Sequence, residues 1–466
     1  MSHPFLTLRA FGAACLLFAG SAAMGASPSA SSDDVISFLQ SAYARSVAPG
    51  EQADLHRELL ATVLQRVKRS YATQVDLAVL AAAVLKVLDP LPPSGGDPAE
   101  VFKKAINEAL RTLDPHSRYL DALAHGNARS DSSGSFGGLG LEVQSSEGAV
   151  RVVAPMPGSP AQRAGLAPGD LIVRVDDQPL EGLPLAEAIA RMRGQPGTPV
   201  SITIQRPGTA HAFTVSLTRD TIRRQLLLWN MEGEVLVLRL AGFNGAASAS
   251  LVQAISDATT QKQPRAVVLD MRGNPGGVLR EAVRIADAFL SKGEIVSLRG
   301  TTSARQLAWQ ADTDELLTDL PMVVLIDGRS ASASELVADA LQHNGRATVM
   351  GQRSFGKGSV QTTFSLGEHK GALKLTTAIY HGPSGQTVHR IGVAPDIELL
   401  ASSGSEAARE SERAHRPSDA APPRIAKVRV DPVRCTPLKV SDPPLSCAVA
   451  YLLAGGIDTF VAGLRD

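Results

Sequence analysis

The chain has 466 residues, of which 44% are hydrophobic and 20% are charged, so we expect a folded protein of several domains rather than an intrinsically disordered one. Its 46 lysines and arginines balance 46 aspartates and glutamates, which gives a formal net charge of +0. This balance provides no electrostatic reason to expect nucleic acid or an anionic membrane surface as a partner.

Residues 1–26 have the pattern of a secretory signal peptide. Arg9 precedes an apolar run from Ala10 to Ala23, and small residues suitable for cleavage lie at its end. An uncleaved membrane anchor is the alternative, although the run is shorter than the about 20 residues that a membrane span requires. We therefore expect an exported, periplasmic protein.

Residues 27–130 are expected to form a helical region. Apolar residues recur at spacings of three and four through residues 35–87, and a stretch rich in proline and glycine then breaks the pattern at 89–96. A further helix is expected over about 99–113. The polar, glycine-containing stretch 125–135 has the composition of a linker.

Residues 131–220 change to short strand patterns separated by turn signals. A helix is expected over 184–192 and a closing strand over 200–204. This unit resembles a PDZ domain of the bacterial protease type. The resemblance implies that loop amides around Gly138-Leu139-Gly140-Leu141 cradle a C-terminal carboxylate while the peptide adds as a strand. The groove would then face three helix residues, Leu185, Ala188 and Ile189.

Residues 221–403 alternate strand and helix patterns, which is typical of an α/β core. The apolar runs at 266–270 and 322–327 predict strands buried on both faces, and helices are expected over 278–290 and 333–343.

A charged, proline-containing linker is expected over 404–424, followed by a small tail module over 425–466. Cys435 and Cys447 are the two cysteines downstream of the signal segment, and in an exported protein they suggest a disulfide; two buried free thiols are the alternative. The apolar stretch 447–464 contains Asp458, which disfavours a membrane span and favours a docked amphipathic helix.

Ser332 lies in the run Ser-Ala-Ser-Ala-Ser-Glu at 330–335, directly after a buried strand. Together with Glu335 it fits a helix capping box, a structural role. Capping is compatible with catalysis, because a helix N-terminus favours the negative charge of an activated hydroxyl.

Lys357 lies in the run Ser-Phe-Gly-Lys-Gly-Ser-Val-Gln at 354–361. The run nearly matches a phosphate-binding loop, but Gly358 stands where that motif needs a hydroxyl, and the segment that follows is strand-like. An exposed loop lysine is the ordinary alternative. The small and apolar neighbours would instead bury the amine and lower its pKa, as a general base requires.

A third motif, Asp-Met-Arg-Gly-Asn-Pro-Gly-Gly at 270–277, lies between a buried strand and a helix. Consecutive glycines at such a turn can direct backbone N–H groups at one point, as an oxyanion hole requires. A tight strand-to-helix turn without catalytic purpose is the alternative.

Together these motifs resemble the C-terminal processing (tail-specific) serine proteases over about residues 100–400. Further matching blocks are Leu-Asp-Pro-His-Ser at 113–117, Leu-Lys-Leu-Thr-Thr-Ala at 373–378 and Gly-Val-Ala-Pro-Asp-Ile at 392–397. The resemblance implies Ser332 as nucleophile, Lys357 as general base and Gln361 as the group that orients the lysine. It implies an oxyanion hole formed by the N–H of Ala333 and that of Gly276 or Gly277.

The resemblance also implies that the flanking serines, Ser330 and Ser334, are dispensable. His381 and His389 lie near a Pro-Ser-Gly run and raise the option of a Ser-His pair, which the intact Lys357 disfavours.

The sequence thus predicts an α+β multidomain protein with a helical N-terminal region, a PDZ β-sandwich-like domain and an α/β protease core with a Ser-Lys dyad. The expected function is that of an exported serine endopeptidase that recognises proteins by their free C-termini, without metal, nucleotide or other cofactor. An enzyme that requires an activating adaptor protein and an inactive PDZ scaffold are the alternatives. A homo-oligomer is a further option for its assembly.

Overall fold

The computed structural model describes residues 31–92, 94–146, 149–300, 307–312, 315–400, 426–435 and 442–464. The expected signal peptide over 1–26 and the expected linker over 404–424 lie outside the described residues.

Four helices form the N-terminal region, and their starts follow from side-chain caps. Ser31 and Asp34 form a capping box, while Asp76 and Asp97 each accept a backbone N–H of the following turn. Aliphatic side chains of all four helices meet in one core. The helices are α1 (Ser32–Ser46), α2 (Glu51–Ser70), α3 (Leu77–Leu88) and α4 (Pro98–Arg111).

A short strand, β1 (Arg118–Leu120), leads into α5 (Ala122–Ser133), so the prediction of a linker at 125–135 was wrong. The helix buries none of its residues, and it therefore lacks the apolar stripe by which helices are usually predicted. Its ends hold it instead. Asp121 accepts the N–H of Ala124, and Gly134 ends the helix with a left-handed φ of 81°.

A six-stranded antiparallel sheet follows, in the order β3-β4-β5-β7-β8, with β6 paired to β5. A two-stranded ribbon, β2 with β9, lies at its boundary. Alternate residues of these strands and the inner side of α7 form a separate core. The elements are β2 (Ser135–Gly138), β3 (Leu141–Ser146), β4 (Ala149–Pro155), α6 (Pro160–Arg163), β5 (Leu171–Val175), β6 (Gln178–Pro179), α7 (Leu185–Met192), β7 (Pro199–Gln205), β8 (Phe213–Thr218) and β9 (Asp220–Arg223).

A seven-stranded sheet in the order β10-β11-β12-β15-β16-β19-β20 forms the centre of the remaining chain, and every pair except β10-β11 is parallel. As predicted, β12 and β15 are buried along their whole length. The strands are β10 (Leu227–Glu232), β11 (Val235–Leu240), β12 (Ala266–Asp270), β15 (Met322–Ile326), β16 (Thr348–Gly351), β19 (Ile397–Leu399) and β20 (Val428–Val430).

Helices cover both faces of this sheet. One face packs against three helices, α8 (Ala247–Gln261), α9 (Leu279–Asp287) and α10 (Ala333–His343). The other face packs against two C-terminal helices, α11 (Pro443–Ala454) and α12 (Ile457–Gly463).

A second sheet, in the order β1-β18-β13-β14 with β17 paired to β18, joins the helical region to the core. Leu373 and Leu375 of β18 enter the core of the N-terminal helices, so Lys374 and Thr376 lie on the opposite face. The new strands are β13 (Glu294–Arg299), β14 (Leu307–Gln310), β17 (Ser359–Ser365) and β18 (Ala372–His381).

The described parts of the tail, residues 426–435 and 442–464, belong to the seven-stranded core. Strand β20 extends the sheet, and a 3-10 turn at Pro432–Arg434 ends at Cys435, which is disulfide-bonded to Cys447 of α11. The single docked helix expected over 447–464 is broken: Gly455 adopts a φ of 72°, so the chain forms two helices.

No single helix in the described part of the chain is both long and apolar enough to cross a membrane. Helices α11 and α12 reach that length and apolarity together, but they are bent by 120° at the break between them.

Candidate functional site

Three loops meet at one edge of the seven-stranded sheet. Strands β12, β15 and β16 are neighbouring and parallel, and their registers align Asp270 with Leu325 and Ile326 with Gly351. Their carboxyl ends therefore lie side by side. The loops that follow them carry the glycine motif, Ser332 and Lys357, so the topology brings all three predicted motifs together.

Ser332 lies at the N-cap of α10, at the point where the chain enters the helix, and its side chain is partly buried. Its φ of 58° and ψ of −113° are unusual for a residue other than glycine, and such backbone strain is concentrated at functional sites. The hydroxyl of Tyr380 donates to the Ser332 carbonyl at 3.1 Å.

Glu335 connects the serine loop to the lysine loop. Its Oε2 accepts the backbone N–H of Ser332 at 2.7 Å and that of Lys357 at 2.8 Å. Its Oε1 accepts the Ser354 hydroxyl and the Gly356 N–H, both at 2.6 Å. One carboxylate therefore fixes both loops.

The Glu335 side chain is inaccessible to solvent, with 0% of the residue exposed. Burial raises the pKa of the Glu335 carboxyl, while the four donated hydrogen bonds oppose that rise. The capping box predicted from the sequence contains the Ser332 contact, but the contacts to residues 354–357 were not predicted. No local pattern indicates them, because they bridge 19 to 22 positions.

Lys357 is partly buried, and burial is the largest cause that lowers the pKa of its amine below the ordinary lysine value. The nearby charge of Arg118 lowers this pKa further, whereas the charges of Glu335 and Asp114 oppose the shift. The environment therefore favours the neutral amine more than water does.

Gln361 lies in β17, and its side-chain amide nitrogen makes two hydrogen bonds. Its Nε2 donates to Ser359 Oγ at 2.9 Å and to Thr376 Oγ1 at 3.2 Å. Within the described residues, the side chains of Ser332, Lys357 and Gln361 make no hydrogen bond to one another. Such contacts are often long in enzymes without substrate and shorten when substrate binds.

The glycine motif packs directly against the start of α10. A Cβ on Gly276 would lie 2.6 Å from the Ala331 carbonyl and 2.9 Å from both Ala333 N and Ser332 Cβ, so no larger residue fits. The Gly276 N–H donates to Asn274 Oδ1 at 2.9 Å and is therefore occupied. The N–H groups of Gly277 and Ala333 donate to no acceptor within the described part of the chain.

Asn274 and the two flanking serines bind the glycine motif to the serine loop. Asn274 is fully buried, and its carbonyl accepts the Ala331 N–H and the Ser334 hydroxyl, both at 2.9 Å. Ser330 Oγ donates to the Met271 carbonyl at 2.9 Å. Both serines are 0% exposed, and replacing either removes one hydrogen bond from a buried carbonyl. Each carbonyl keeps a backbone donor, which is the Asn274 N–H for Met271 and the Ala331 N–H for Asn274. The expectation that the two serines are dispensable for cleavage stays a prediction.

The groove expected in the PDZ unit would lie between α7 and β3, and β3 is an edge strand of its sheet. Gly138 pairs with Asp220 in the two-stranded ribbon, Leu139 is buried, and Gly140 adopts a φ of 71°. The loop carbonyls of residues 139 and 140 accept backbone N–H groups of residues 161 and 156.

On α7, Ala188 is buried, while Leu185 and Ile189 are partly exposed and pack against the core of this domain. In the described strands β3 pairs with β4 alone, so its other edge offers unpaired backbone groups to an added strand.

The two histidines that could compete with Lys357 both have a pKa below the ordinary histidine value. Burial is the largest cause that lowers the pKa of both His381 and His389, and the charges of Arg299 and Arg390 respectively add to it. In the described residues, no group of three or more His, Cys, Asp or Glu side chains is arranged to hold a metal ion.

Comparison with known proteins yields two family matches. The profile of peptidase family S41 matches residues 234–399, and that of the PDZ domain matches residues 151–206. Both lie within the parts of the chain predicted to be the protease core and the PDZ unit.

The chain is 43% identical over 304 residues to a carboxy-terminal-processing protease of Bartonella bacilliformis, covering 65% of this chain and 70% of that protein. It is 36% identical over 302 residues to a carboxyl-terminal-processing protease of Picosynechococcus, covering 63% and 72%. A solved structure of a photosystem II D1 C-terminal processing protease is 28% identical, with a TM-score of 0.47, and covers 75% of this chain and 94% of that one. From its sequence match to these relatives, the chain belongs to the family of carboxy-terminal-processing proteases, which are S41 peptidases with a PDZ domain.

Proposed function

We propose that this chain is an exported serine endopeptidase that cleaves proteins near their C-termini with a dyad of Ser332 and Lys357. The observation that carries the proposal is the single Glu335 oxygen that accepts the backbone N–H groups of both residues. An inactive scaffold has no need for this arrangement around a strained serine and a lysine of lowered pKa.

In the proposed reaction, the neutral Lys357 amine accepts the proton of the Ser332 hydroxyl as its oxygen attacks the scissile carbonyl. The lysine then gives that proton to the departing amine, which leaves an acyl group on Ser332. Water, deprotonated by the same lysine, hydrolyses the ester and restores the serine. Gln361 would orient the lysine through its carbonyl oxygen, because its amide nitrogen is held by Ser359 and Thr376.

The developing oxyanion would be bound by the N–H groups of Ala333 and Gly277. The sequence left Gly276 and Gly277 equally placed, and the hydrogen bond from the Gly276 N–H to Asn274 favours Gly277. Gly276 then has a different purpose: its missing Cβ lets the loop approach Ser332 and Ala333.

The pH profile of cleavage tests whether Lys357 is the general base. We expect kcat/KM to rise with pH along one titration whose midpoint lies below the ordinary lysine value of 10.5, because only the neutral amine accepts a proton. Arg118 is exposed and its charge lowers the pKa of Lys357, so the Arg118→Gln protein should titrate at a higher pH. A midpoint near 6.5 that ignores this substitution would point to a histidine instead.

We further propose that the PDZ unit selects substrates by their free C-terminal carboxylate. Amidating the C-terminus of a substrate peptide removes the charge that the loop amides would hold. A charge-assisted hydrogen bond is worth about 1.5–3 kcal/mol, so affinity should fall about tenfold or more. Binding is measured by fluorescence anisotropy with the Ser332→Ala protein, and cleavage with the unaltered one.

The control peptide for this experiment is acetylated at its N-terminus, which removes a charge at the other end and should change neither value. Equal affinity for free and amidated peptides would show that this domain does not read C-termini. The alternative is a protease that needs an activating adaptor protein. Cleavage by the purified chain alone would show that no adaptor is needed, whereas cleavage that begins after the adaptor is added would show that one is.

Export rests on the signal-like segment at 1–26 and on the disulfide between Cys435 and Cys447, a bond typical of oxidising compartments. Periplasmic location is the form of export that we propose, since the relatives named above are bacterial.

A further inference from the structure

The C-terminal tail reaches the loop that carries the proposed oxyanion donor. Asp442, which precedes α11, accepts Arg272 Nη1 at 2.9 Å and Arg272 Nη2 at 2.7 Å. The two hydrogen bonds form a bidentate pair across 170 positions of sequence. The same carboxylate caps α11 by accepting the Leu445 N–H at 3.2 Å.

Arg272 is held between two carboxylates. Its Nε and Nη2 donate to Asp270 at 2.9 and 2.6 Å, so the guanidinium is fixed on two edges and its side chain is only 15% exposed. Burial alone would raise the pKa of Asp442, but the hydrogen bonds and charge of Arg272 keep it below the ordinary value. Asp442 is therefore a charged partner of Arg272.

Arg272 is the first residue of the 272–277 loop, which carries the proposed oxyanion donor Gly277, so fixing Arg272 also fixes the start of this loop. The next residue, Gly273, adopts a φ of 69° and donates its N–H to Asp327 at 2.8 Å. Asn274 follows, and its side chain donates to the Leu240 carbonyl at 2.8 Å. Residues 272, 273 and 274 are thus each held by a hydrogen bond to a different part of the fold. Gly277 follows three residues after this fixed segment.

The tail is itself held firmly enough to act as an anchor. Helix α11 buries Leu445, Ala448 and Val449 against the face of the seven-stranded sheet opposite α10. The disulfide of Cys447 joins this helix to the turn that follows β20.

We infer that Asp442 is a positioning residue for the oxyanion site: through Arg272 it holds the 272–277 loop at the distance from Ser332 that places the Gly277 N–H. This inference rests on the proposed function. It gives the tail a role in catalysis, since the residue that orients the loop is supplied from beyond the S41 match at 234–399.

The test compares Asp442→Asn with Asp442→Glu in the full chain. Asparagine caps a helix about as well as aspartate but loses the ion pair, whereas glutamate keeps the charge and is a poorer cap. Losing an oxyanion donor entirely costs about 10²–10³ in kcat, so a displaced loop should cost the Asn variant about tenfold. KM should be unchanged, and the Glu variant should be the more active of the two.

A peptide boronate reports on the oxyanion site separately from overall stability, because its tetrahedral adduct with Ser332 mimics the intermediate. Its affinity should fall in the Asn variant by the same factor as kcat, while the affinity of an uncleaved peptide for the Ser332→Ala protein should not respond to the Asn substitution. The matched control is Asp76→Asn, which changes the cap of α3 at a residue that forms no ion pair within the described part of the chain, and which should leave both values intact.

Full kcat and boronate affinity in the Asn variant would reduce Asp442 to a helix cap and overturn the inference. So would an Asn variant that is insoluble, or a Glu variant that is the weaker of the two. A wild-type protein that neither cleaves peptides nor binds the boronate would contradict the proposed function itself, which keeps the two failures apart.

Discussion

Replacing Ser332 by alanine should abolish peptide cleavage, with a loss of kcat of about four orders of magnitude or more, while the protein stays folded. The proposed reaction has no other nucleophile, and the side chain is only partly buried, so its removal leaves no cavity in the core. Lys357→Ala should produce a loss of similar size. The double variant should be no worse than either single one, because the two residues act as a unit.

Steady-state kinetics and thermal unfolding of the same preparations measure this pair of effects. Ser330 and Ser334 are unsuitable controls because both are buried and hydrogen-bonded. Ser256 is exposed on α8, and its alanine variant should cleave at the wild-type rate. Cleavage retained by the folded Ser332→Ala protein would rule out the proposed nucleophile.

Glu335→Gln should lower both stability and activity, and activity by more than the loss of folded protein explains. A glutamine amide has one oxygen where the carboxylate has two. Either the backbone N–H groups of Ser332 and Lys357, or the Ser354 hydroxyl and the Gly356 N–H, would then face an NH₂ group. Leaving a buried donor unsatisfied costs about 1–3 kcal/mol, and two donors are affected, so the free energy of unfolding should fall by about 2–6 kcal/mol.

Its matched control is Glu281→Gln. Glu281 is also buried, at 3% exposure, and accepts the N–H and hydroxyl of Ser248, but it contacts neither loop of the dyad. Both variants should unfold at lower denaturant concentration. Assayed where each is fully folded, only Glu335→Gln should show a reduced kcat, and equal kcat in the two would make Glu335 a purely structural residue.

The sequence predicted correctly the helices and strands that are marked by a local pattern of apolar residues. Strands β12 and β15 are continuous apolar runs, and α10 begins and ends at the predicted residues because its capping serine and its apolar side chains agree. It failed at α5, which is set by its end residues without an apolar stripe, and at residues 447–464, where Gly455 breaks an otherwise apolar segment.

For the site, motif resemblance named Ser332 and Lys357, and the parallel sheet brings their loops together. The motif resemblance did not reveal which contacts hold the Ser332 and Lys357 loops in place. Glu335 and Asp442 contact partners far away in sequence, and such contacts produce no periodic pattern from which they could be predicted. Likewise, the spacing of Gly276 and Gly277 could not show which N–H is occupied, because that depends on the turn formed by Asn274.

Trapping the acyl group shows which residue is the nucleophile. The enzyme is mixed with excess peptide, quenched in acid during turnover, digested and mapped by mass spectrometry. The expected result is that the N-terminal product fragment, less one water, is attached to Ser332, and that the Ser332→Ala protein carries it on no residue. An adduct on a different residue, with cleavage surviving in that variant, would contradict it.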